Sequence, residues 1–340
     1  MTTEKRILVT GGAGYLGSAV TTMLLGRGRR VVVLDDLTYG TAGLDGVLDD
    51  PRLELIRADV RDRDAVRSAV RDVEAVFHLA AIANDPSGDL DTALTRSINL
   101  DAYTPLLEEA RAAGARLFVN ASSFSVYGVN VTPNITETDP LNCRREYSRC
   151  KAESEAVVRS FTTDAFATVS IRLATMCSWS PRMRFDVIAN QLLGIAQVER
   201  KVVVHGGEQQ RPHIDIRDVC DLFEVLLDAP PERYSGEVFN AGGENVTIRQ
   251  LAELARDIVG QDGGEPVELT YAPGRADERS YHVNSDKLER VLGFRAKRTI
   301  RESMQSIADA HARGEWSDPH ADEYHNIRRL ANRLDAAAVG

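Results

Sequence analysis

The stretch Ile7-Leu8-Val9-Thr10-Gly11-Gly12-Ala13-Gly14-Tyr15-Leu16-Gly17 decides how this chain begins to fold. An apolar run that suits a buried strand leads directly into glycines, which fit G-x-G-x-x-G at positions 12, 14 and 17 and G-x-x-G-x-x-G at 11, 14 and 17. Glycine lets the backbone turn sharply and approach a pyrophosphate, whose charge lies at the N-terminus of the next helix. The stretch therefore predicts a strand, a phosphate-binding turn and a helix.

A second signal lies at the end of the next apolar run, Val31-Val32-Val33-Leu34, where Asp35 stands 18 residues after Gly17. A carboxylate at that place accepts hydrogen bonds from ribose hydroxyls and repels a 2′-phosphate. Together the glycines and Asp35 predict a dinucleotide site that prefers NAD to NADP.

Similar apolar runs recur along the first half of the chain, and segments of helical length separate them. Their hydrophobicity is continuous rather than alternating, as in strands that are buried on both faces of a parallel sheet. The pattern predicts an α/β fold with a Rossmann-like, doubly wound parallel sheet. The further strands expected are 53–56, 76–79, 117–119, 168–173 and 237–241.

The pattern loosens after residue 173, which suggests a second, smaller lobe for the substrate. We expect an NAD-binding Rossmann domain from residues 1–173 and about 214–241, and a substrate-binding lobe from about 174–213 and 242–312. Within the lobe we expect a helix around 187–198, a strand at 202–204 and a polar loop at 206–212. Residues 313–340 have apolar side chains at helical spacing, which favours a C-terminal packing helix over a partner-binding one.

Composition excludes several classes of protein. The 340 residues carry a net charge of −10, which argues against nucleic acid as a partner because that binding relies on Lys and Arg. No apolar run is long enough to span a membrane, and the N-terminal run is too short for a signal peptide. The four cysteines form no Cys-x-x-Cys pair, so we expect no metal and a reduced, cytoplasmic protein.

A candidate reaction centre follows the predicted strand 117–119. Ser123 lies in Ala121-Ser122-Ser123-Phe124-Ser125, and Tyr147 and Lys151 share one face of a predicted helix at spacing i and i+4. An ammonium near a phenol favours the phenolate, and a serine hydroxyl can hold a substrate oxygen. These groups suit acid/base chemistry in alcohol oxidation or ketone reduction beside a nicotinamide.

With these motifs the chain resembles the extended short-chain dehydrogenase/reductase family, and within it the nucleotide-sugar epimerase/dehydratase branch that includes UDP-galactose 4-epimerase-like enzymes. The resemblance implies Ser123, Tyr147 and Lys151 as catalytic residues, with Lys151 also holding the nicotinamide ribose. It implies that NAD is bound by Gly11, Gly14, Tyr15, Leu16, Gly17, Asp35, Asp59, Val60, Leu79, Ala80, Ala81, Asn99, Tyr147 and Lys151.

The same resemblance implies a nucleotide-diphosphate sugar as substrate. Arginine suits bidentate phosphate contacts. The expected substrate-binding residues are Asp85, Ser123, Ser125, Arg182, Arg211, Arg275 and Arg279. Which of Arg275 and Arg279 binds phosphate stays open, as do a substrate role for His213 and an acid/base role for Cys177 or Cys143.

One departure from the family pattern bears on the reaction. Members that remove water or carbon dioxide usually carry an acidic pair after the catalytic serine or threonine, and this chain has Phe124 and Ser125. The expected function is therefore an NAD-dependent nucleotide-sugar epimerase, acting at C4 through a 4-keto intermediate with Tyr147 as acid/base. The alternatives are an NAD(P)H-dependent ketoreductase or a dehydratase acting on a nucleotide keto-sugar or cyclitol, and a nucleotide-binding protein without turnover.

The family resemblance also implies a homodimer that pairs through the helices containing residues 99–113 and 147–161. Leu106, Leu107, Ala110 and Ala113 form an apolar stripe that fits such an interface or the underside of a helix on the sheet.

Overall fold

The computed structural model describes residues 5–128, 134–272 and 282–339. The strands are β1 Arg6–Thr10, β2 Arg30–Asp35, β3 Leu53–Arg57, β4 Val73–His78, β5 Leu117–Ser123, β6 Ala167–Leu173, β7 Thr175–Cys177, β8 Lys201–His205, β9 Gln210–Asp215, β10 Glu237–Ala241, β11 Asn245–Thr247 and β12 Glu268–Ala272. The helices are α1 Tyr15–Gly26, α2 Arg63–Ala69, α3 Asp85–Gly88, α4 Thr92–Arg96, α5 Tyr103–Ala112, α6 Glu146–Ser160, α7 Ile188–Glu199, α8 Ile216–Asp228, α9 Ile248–Val259, α10 Asp286–Leu292, α11 Ile300–Ala312 and α12 Asn326–Val339.

A seven-stranded sheet in the order β3-β2-β1-β4-β5-β6-β10 forms the centre of the protein. Every neighbouring pair in it is parallel. The chain reverses its direction of travel across the sheet after β3, and this reversal places a crevice between the carboxyl ends of β1 and β4. The predicted Rossmann-like, doubly wound fold is confirmed.

The strands are apolar on both faces because helices cover both. Leu8 of β1 faces a cluster with Phe118, Tyr103 and Leu106, whereas its neighbours Ile7 and Val9 face the opposite cluster. Alternate residues of one strand thus enter different halves of the core, as the pleat requires. This is why the strands read as continuous rather than alternating apolar runs.

Most of the predicted apolar stripe belongs to this core, whereas Ala113, just after the end of α5, is exposed. Leu106, Leu107 and Ala110 are fully buried within the single chain, and they pack against the sheet. They therefore provide no exposed dimer surface, and the homodimer stays a prediction from the resemblance.

The second lobe contains two small sheets, with strand orders β11-β9-β7 and β12-β8. Helices α7, α9 and α11 pack on one another beside them. The polar loop expected over 206–212 ends earlier than predicted, because β9 begins at Gln210. Strand β9 pairs with β7 and β11, which are distant from it in sequence. Hydrophobic periodicity within residues 206–212 therefore did not reveal the strand.

Residues beyond α11 turn back toward the Rossmann domain. Phe185 anchors this segment: its ring lies 4.6 Å from that of Trp316 and 5.3 Å from that of Tyr324. The segment ends in α12, which lies beside the crevice. None of the helices in the described parts of the chain has the length and apolar character needed to cross a membrane.

Candidate active site

A cavity of about 990 Å³ runs along the carboxyl ends of the central strands and continues into the second lobe. Its walls come from the turns after β1, β2, β3 and β4, from the end of β5, and from α7 and β8. Cavities of this size at the switch point of a parallel sheet are typical of cofactor and substrate sites.

The glycine turn forms the floor at one end. Gly11 has φ +71°, and a Cβ there would lie 2.7 Å from the backbone nitrogen of Ala80. A Cβ on Gly17 would lie 2.0 Å from the carbonyl oxygen of Gly11. Gly14 is the N-cap of α1 and provides no side-chain cap, so the first backbone N–H groups of the helix remain available to an anion. This glycine cradle therefore fits the diphosphate of a dinucleotide.

Asp35 is fixed at the edge of the same turn. Its Oδ2 accepts a hydrogen bond from the backbone N–H of Ala13 at 3.0 Å, and its Oδ1 accepts one from that of Leu37 at 2.8 Å. Burial raises the pKa of this carboxyl, although these two hydrogen bonds oppose the rise. The side chain is thus held where sequence reasoning places a ribose, and it lines the cavity.

All the predicted NAD-binding residues except Asn99 line the cavity. Besides Asp35, these are Tyr15, Leu16, Asp59, Val60, Leu79, Ala80, Ala81, Tyr147 and Lys151, together with Gly11, Gly14 and Gly17. Arg61 Nη2 lies 2.5 Å from Asp59 Oδ2, and the hydrogen bonds from the Arg61 side chain lower the pKa of the Asp59 carboxyl.

Asn99 does not line the cavity. Its amide is fully buried and makes two hydrogen bonds, both 2.9 Å long, with the backbone of Ile82. Because each end of the amide bonds to Ile82, Asn99 holds the loop after β4, and its predicted contact with NAD stays a prediction.

Ser123, Tyr147 and Lys151 all face the cavity. Ser123 ends β5 and caps the short turn that follows, where its hydroxyl accepts a hydrogen bond from the N–H of Ser125 at 3.1 Å. Tyr147 and Lys151 lie on α6, one turn apart, and the Lys151 ammonium lies 5.9 Å from the centre of the Tyr147 ring. The three side chains thus approach the cavity from two neighbouring elements.

Lys151 is almost fully buried, and its Nζ donates to the carbonyl oxygen of Ala121 at 2.7 Å. Burial lowers its pKa to about 8. The amine is therefore still charged at neutral pH, and its charge favours a phenolate on Tyr147. This arrangement can remove a proton from a substrate hydroxyl and return it.

A buried polar network behind this centre was missed by sequence reasoning. Glu155 of α6 makes a bidentate ion pair with Arg172 of β6, at 2.9 and 2.8 Å, and accepts a hydrogen bond from Ser122 at 2.5 Å. Arg172 also donates to the hydroxyl of Tyr127, which donates to Asn240 on β10. Two features of the sequence indicate this network: Arg172 is a charged residue inside an apolar strand, and Glu155 is an acid four residues after Lys151.

The predicted substrate residues are dispersed. Arg211, Asp85 and Ser125 line the cavity, and the hydroxyl of Ser125 has no hydrogen-bond partner among the described residues. Asp85 belongs to the turn that packs on Tyr147, since a Cβ on Gly88 would lie 3.0 Å from the Cβ of Tyr147. Arg275 and Arg279 lie outside the described residues.

Arg182 lies at the cofactor end of the cavity. Its guanidinium stacks on the ring of Tyr39 at 4.6 Å, and its backbone N–H donates to the hydroxyl of Ser18 on α1. Burial lowers the pKa of Arg182 to about 10. Arg182 thus lines the cavity beside Tyr39 and α1, and its predicted contact with the substrate stays a prediction.

Three further residues left open by the sequence have structural surroundings. His213 is buried with Nδ1 3.1 Å from the carbonyl oxygen of Arg211, and burial lowers its pKa to about 4. Cys177 is fully buried, and burial raises the pKa of its thiol. The half-buried thiol of Cys143 donates to the carbonyl oxygen of Val126, and burial raises its pKa as well. These two cysteines are therefore uncharged thiols. No group of three or more His, Cys, Asp or Glu side chains in the described ranges is arranged to hold a metal ion.

Comparison with known proteins identifies the family. Residues 7–242 match the model of the NAD dependent epimerase/dehydratase family. The chain belongs to this family. Its membership confirms the predicted enzyme class and NAD as the cofactor, for which the glycine cradle and Asp35 provide the fitting site.

The relatives have several activities. A low-salt glycan biosynthesis protein of Haloferax volcanii is 29% identical over 309 residues, covering 89% of this chain and 97% of the relative. A UDP-glucose 4-epimerase of Mycolicibacterium smegmatis is 28% identical, covering 89% and 97%. The structure of a dTDP-glucose 4,6-dehydratase of Streptomyces venezuelae with NAD and TYD bound is 27% identical, with a TM-score of 0.80 over 92% of this chain and 99% of that one.

Proposed function

We propose that this enzyme is a nucleotide-sugar epimerase that inverts C4 of the sugar. The coarser assignment, an NAD-dependent epimerase/dehydratase acting on a nucleotide sugar, draws support from the family and from relatives named for UDP-glucose and dTDP-glucose. The finer assignment depends on the chemistry that the cavity offers.

The proposed reaction uses Tyr147 as the acid/base. Its phenolate removes the proton of the C4 hydroxyl, with the Ser123 hydroxyl donating to the substrate oxygen and the Lys151 charge supporting the phenolate. The glycine turn and Asp35 would hold NAD, which would supply the acceptor for the C4 hydride and the donor that returns it. After the 4-keto sugar turns over, Tyr147 returns the proton to the new alcohol. Substrate and product are isomers, so the reaction needs no added reductant.

The observation that carries the proposal is the residue pair after Ser123. Expulsion of water needs a second acid/base near the sugar, to protonate the leaving hydroxyl. Phe124 carries no acid: it lines the cavity but is only 2% exposed, with its ring 6.1 Å from that of Tyr127, and Ser125 does not titrate in the working range. The segment after Ser123 therefore offers no second acid/base, which favours proton transfer at one oxygen over loss of water.

The second lobe supplies the place for the nucleotide. Arg211 lines the cavity and is 7% exposed, and the apolar residues Ile188 and Leu192 of α7 lie along the same wall. A guanidinium suits a diphosphate, and an apolar wall suits the face of a base.

The test is incubation of the purified enzyme with UDP-, dTDP-, GDP- and CDP-sugars without added cofactor, followed by mass spectrometry and anomeric NMR. A new sugar of unchanged mass supports the proposal. Loss of 18 Da would replace it with a dehydratase, and reduction of a keto-sugar only when NAD(P)H is added would replace it with a ketoreductase. Ser125→Ala serves as a neighbouring control for Ser123→Ala, which we expect to lower turnover more strongly.

A further inference from the structure

The C-terminal helix α12 lies against the turn that follows β2. Arg333 Nη1 lies 2.6 Å from Asp36 Oδ2 and also contacts the hydroxyl of Thr38. Arg329 donates to the carbonyl oxygen of Thr38 at 3.3 Å. This turn begins with Asp35, so the helix is attached to the segment that would hold the adenosine ribose of NAD.

The face of α12 that packs against the protein forms part of the wall of the cavity. Leu330 is 4% exposed, and it lines the cavity together with Asn326, Arg333 and Leu334. The helix also packs on α3, which follows β4. It therefore spans from the turn after β2 to the loop after β4, and these two segments flank the crevice in which a dinucleotide lies.

The two ends of α12 are held differently. At its start the backbone N–H of Asn326 donates to Asp186 Oδ2 at 3.0 Å, and Asp186 is itself paired with Arg184 at 2.8 Å in a buried position. Further along, the Arg333 side chain is about half exposed. Exposed ion pairs stabilise weakly, so the distal half of the helix opens more easily than its base.

We propose that α12 is the outer wall of the adenosine subsite and that Leu330 and Leu334 contact bound NAD. The ion pair between Arg333 and Asp36 then holds the helix against the turn after β2. NAD then leaves only when the distal half of α12 separates from the turn after β2. Bound NAD in turn holds the helix closed. The proposal depends on the NAD dependence of the family and is independent of which sugar reaction follows.

The first test measures NADH dissociation by stopped-flow fluorescence, with excess NAD as competitor. Arg333→Ala removes the ion pair with Asp36, and we expect the rate of NADH dissociation to rise about 2- to 5-fold. Leu330→Ala removes apolar contact with the cofactor, and we expect a rise of at least about tenfold. Arg328→Ala is the matched control, because Arg328 contacts only His320 and Asp322 of the tail among the described residues. Its rate should match that of the parent enzyme.

A second measurement needs no variant. Hydrogen–deuterium exchange of the parent enzyme should show slower exchange of the α12 amides when NAD is added. If NAD protects the glycine turn but leaves α12 unchanged, or if Arg333→Ala and Leu330→Ala release NADH at the parent rate, α12 is no part of the site. Both readouts measure binding alone, so they stay decisive if the sugar reaction proves to be another one.

Discussion

Removal of Arg172 tests whether the buried network behind the active site stabilises the protein. The Arg172 and Glu155 side chains are only 5% and 7% exposed. In Arg172→Leu, the Glu155 carboxylate stays buried and keeps the Ser122 hydrogen bond but loses its counter-charge. Breaking a buried pair in this way costs about 3–5 kcal/mol.

The expected shift in melting temperature follows from the chain length. At about 2.1 cal/mol/K per residue, unfolding of 340 residues carries an entropy of about 0.7 kcal/mol/K. A loss of about 3–5 kcal/mol therefore lowers Tm by about 4–7 °C. The double variant Arg172→Leu/Glu155→Leu removes both charges and should recover most of the loss, because an apolar pair avoids the cost of burying charge.

The assay is guanidinium unfolding followed by tryptophan fluorescence, with thermal circular dichroism as a second probe. Arg313→Leu is the control, since Arg313 pairs with Glu315 in an exposed position, and it should lose far less stability. A loss below about 1 kcal/mol in Arg172→Leu would refute the reasoning, because it would mean that water or another cation compensates Glu155. A double variant as unstable as the sum of the single variants would refute it equally.

Three further predictions concern the site. Tyr147→Phe should lower turnover by about 10²–10⁴-fold, the usual contribution of a general acid/base, with NAD affinity by calorimetry close to the parent value because the ring is retained; near-normal turnover would remove Tyr147 from that role. Turnover of the parent enzyme should fall as pH rises through about 8, where Lys151 loses its proton, and Lys151→Arg should shift that fall to higher pH in a rate profile. Gly17→Ala should weaken NAD binding at least about tenfold, since the new Cβ meets the Gly11 carbonyl at 2.0 Å, whereas Gly26→Ala on the same helix has open space and should bind normally.

Local pattern was sufficient to predict the Rossmann-like sheet and NAD as the cofactor. A buried parallel strand requires a continuous apolar run, and a phosphate turn requires glycines at fixed spacing, so both requirements are visible within a few residues of sequence. The approach of Gly17 to the Gly11 carbonyl shows why no larger residue fits there.

Features that depend on contacts between distant residues were not predictable in this way. The Arg172–Glu155 pair joins β6 to α6, and β9 is a strand only because β7 and β11 lie beside it. Asn99, which the resemblance places near the cofactor, makes hydrogen bonds with the backbone of Ile82 that its position in the sequence did not predict. The sequence shows which residues occur at which spacing. The direction in which a side chain points depends on the packing around it.

The return of the chain to the central sheet makes the two lobes inseparable. Strand β10, Glu237–Ala241, pairs with β6 only after the chain has passed through part of the second lobe. A protein shortened at residue 213 would leave β6 as a bare sheet edge, with its backbone N–H and C=O groups open to pairing with another molecule. Asn240 would be lost as well, and with it the shorter of the two hydrogen bonds from the Tyr127 hydroxyl, which would keep only the carbonyl oxygen of Thr136 as acceptor. The second lobe therefore cannot be removed without loss of the strand that completes the sheet.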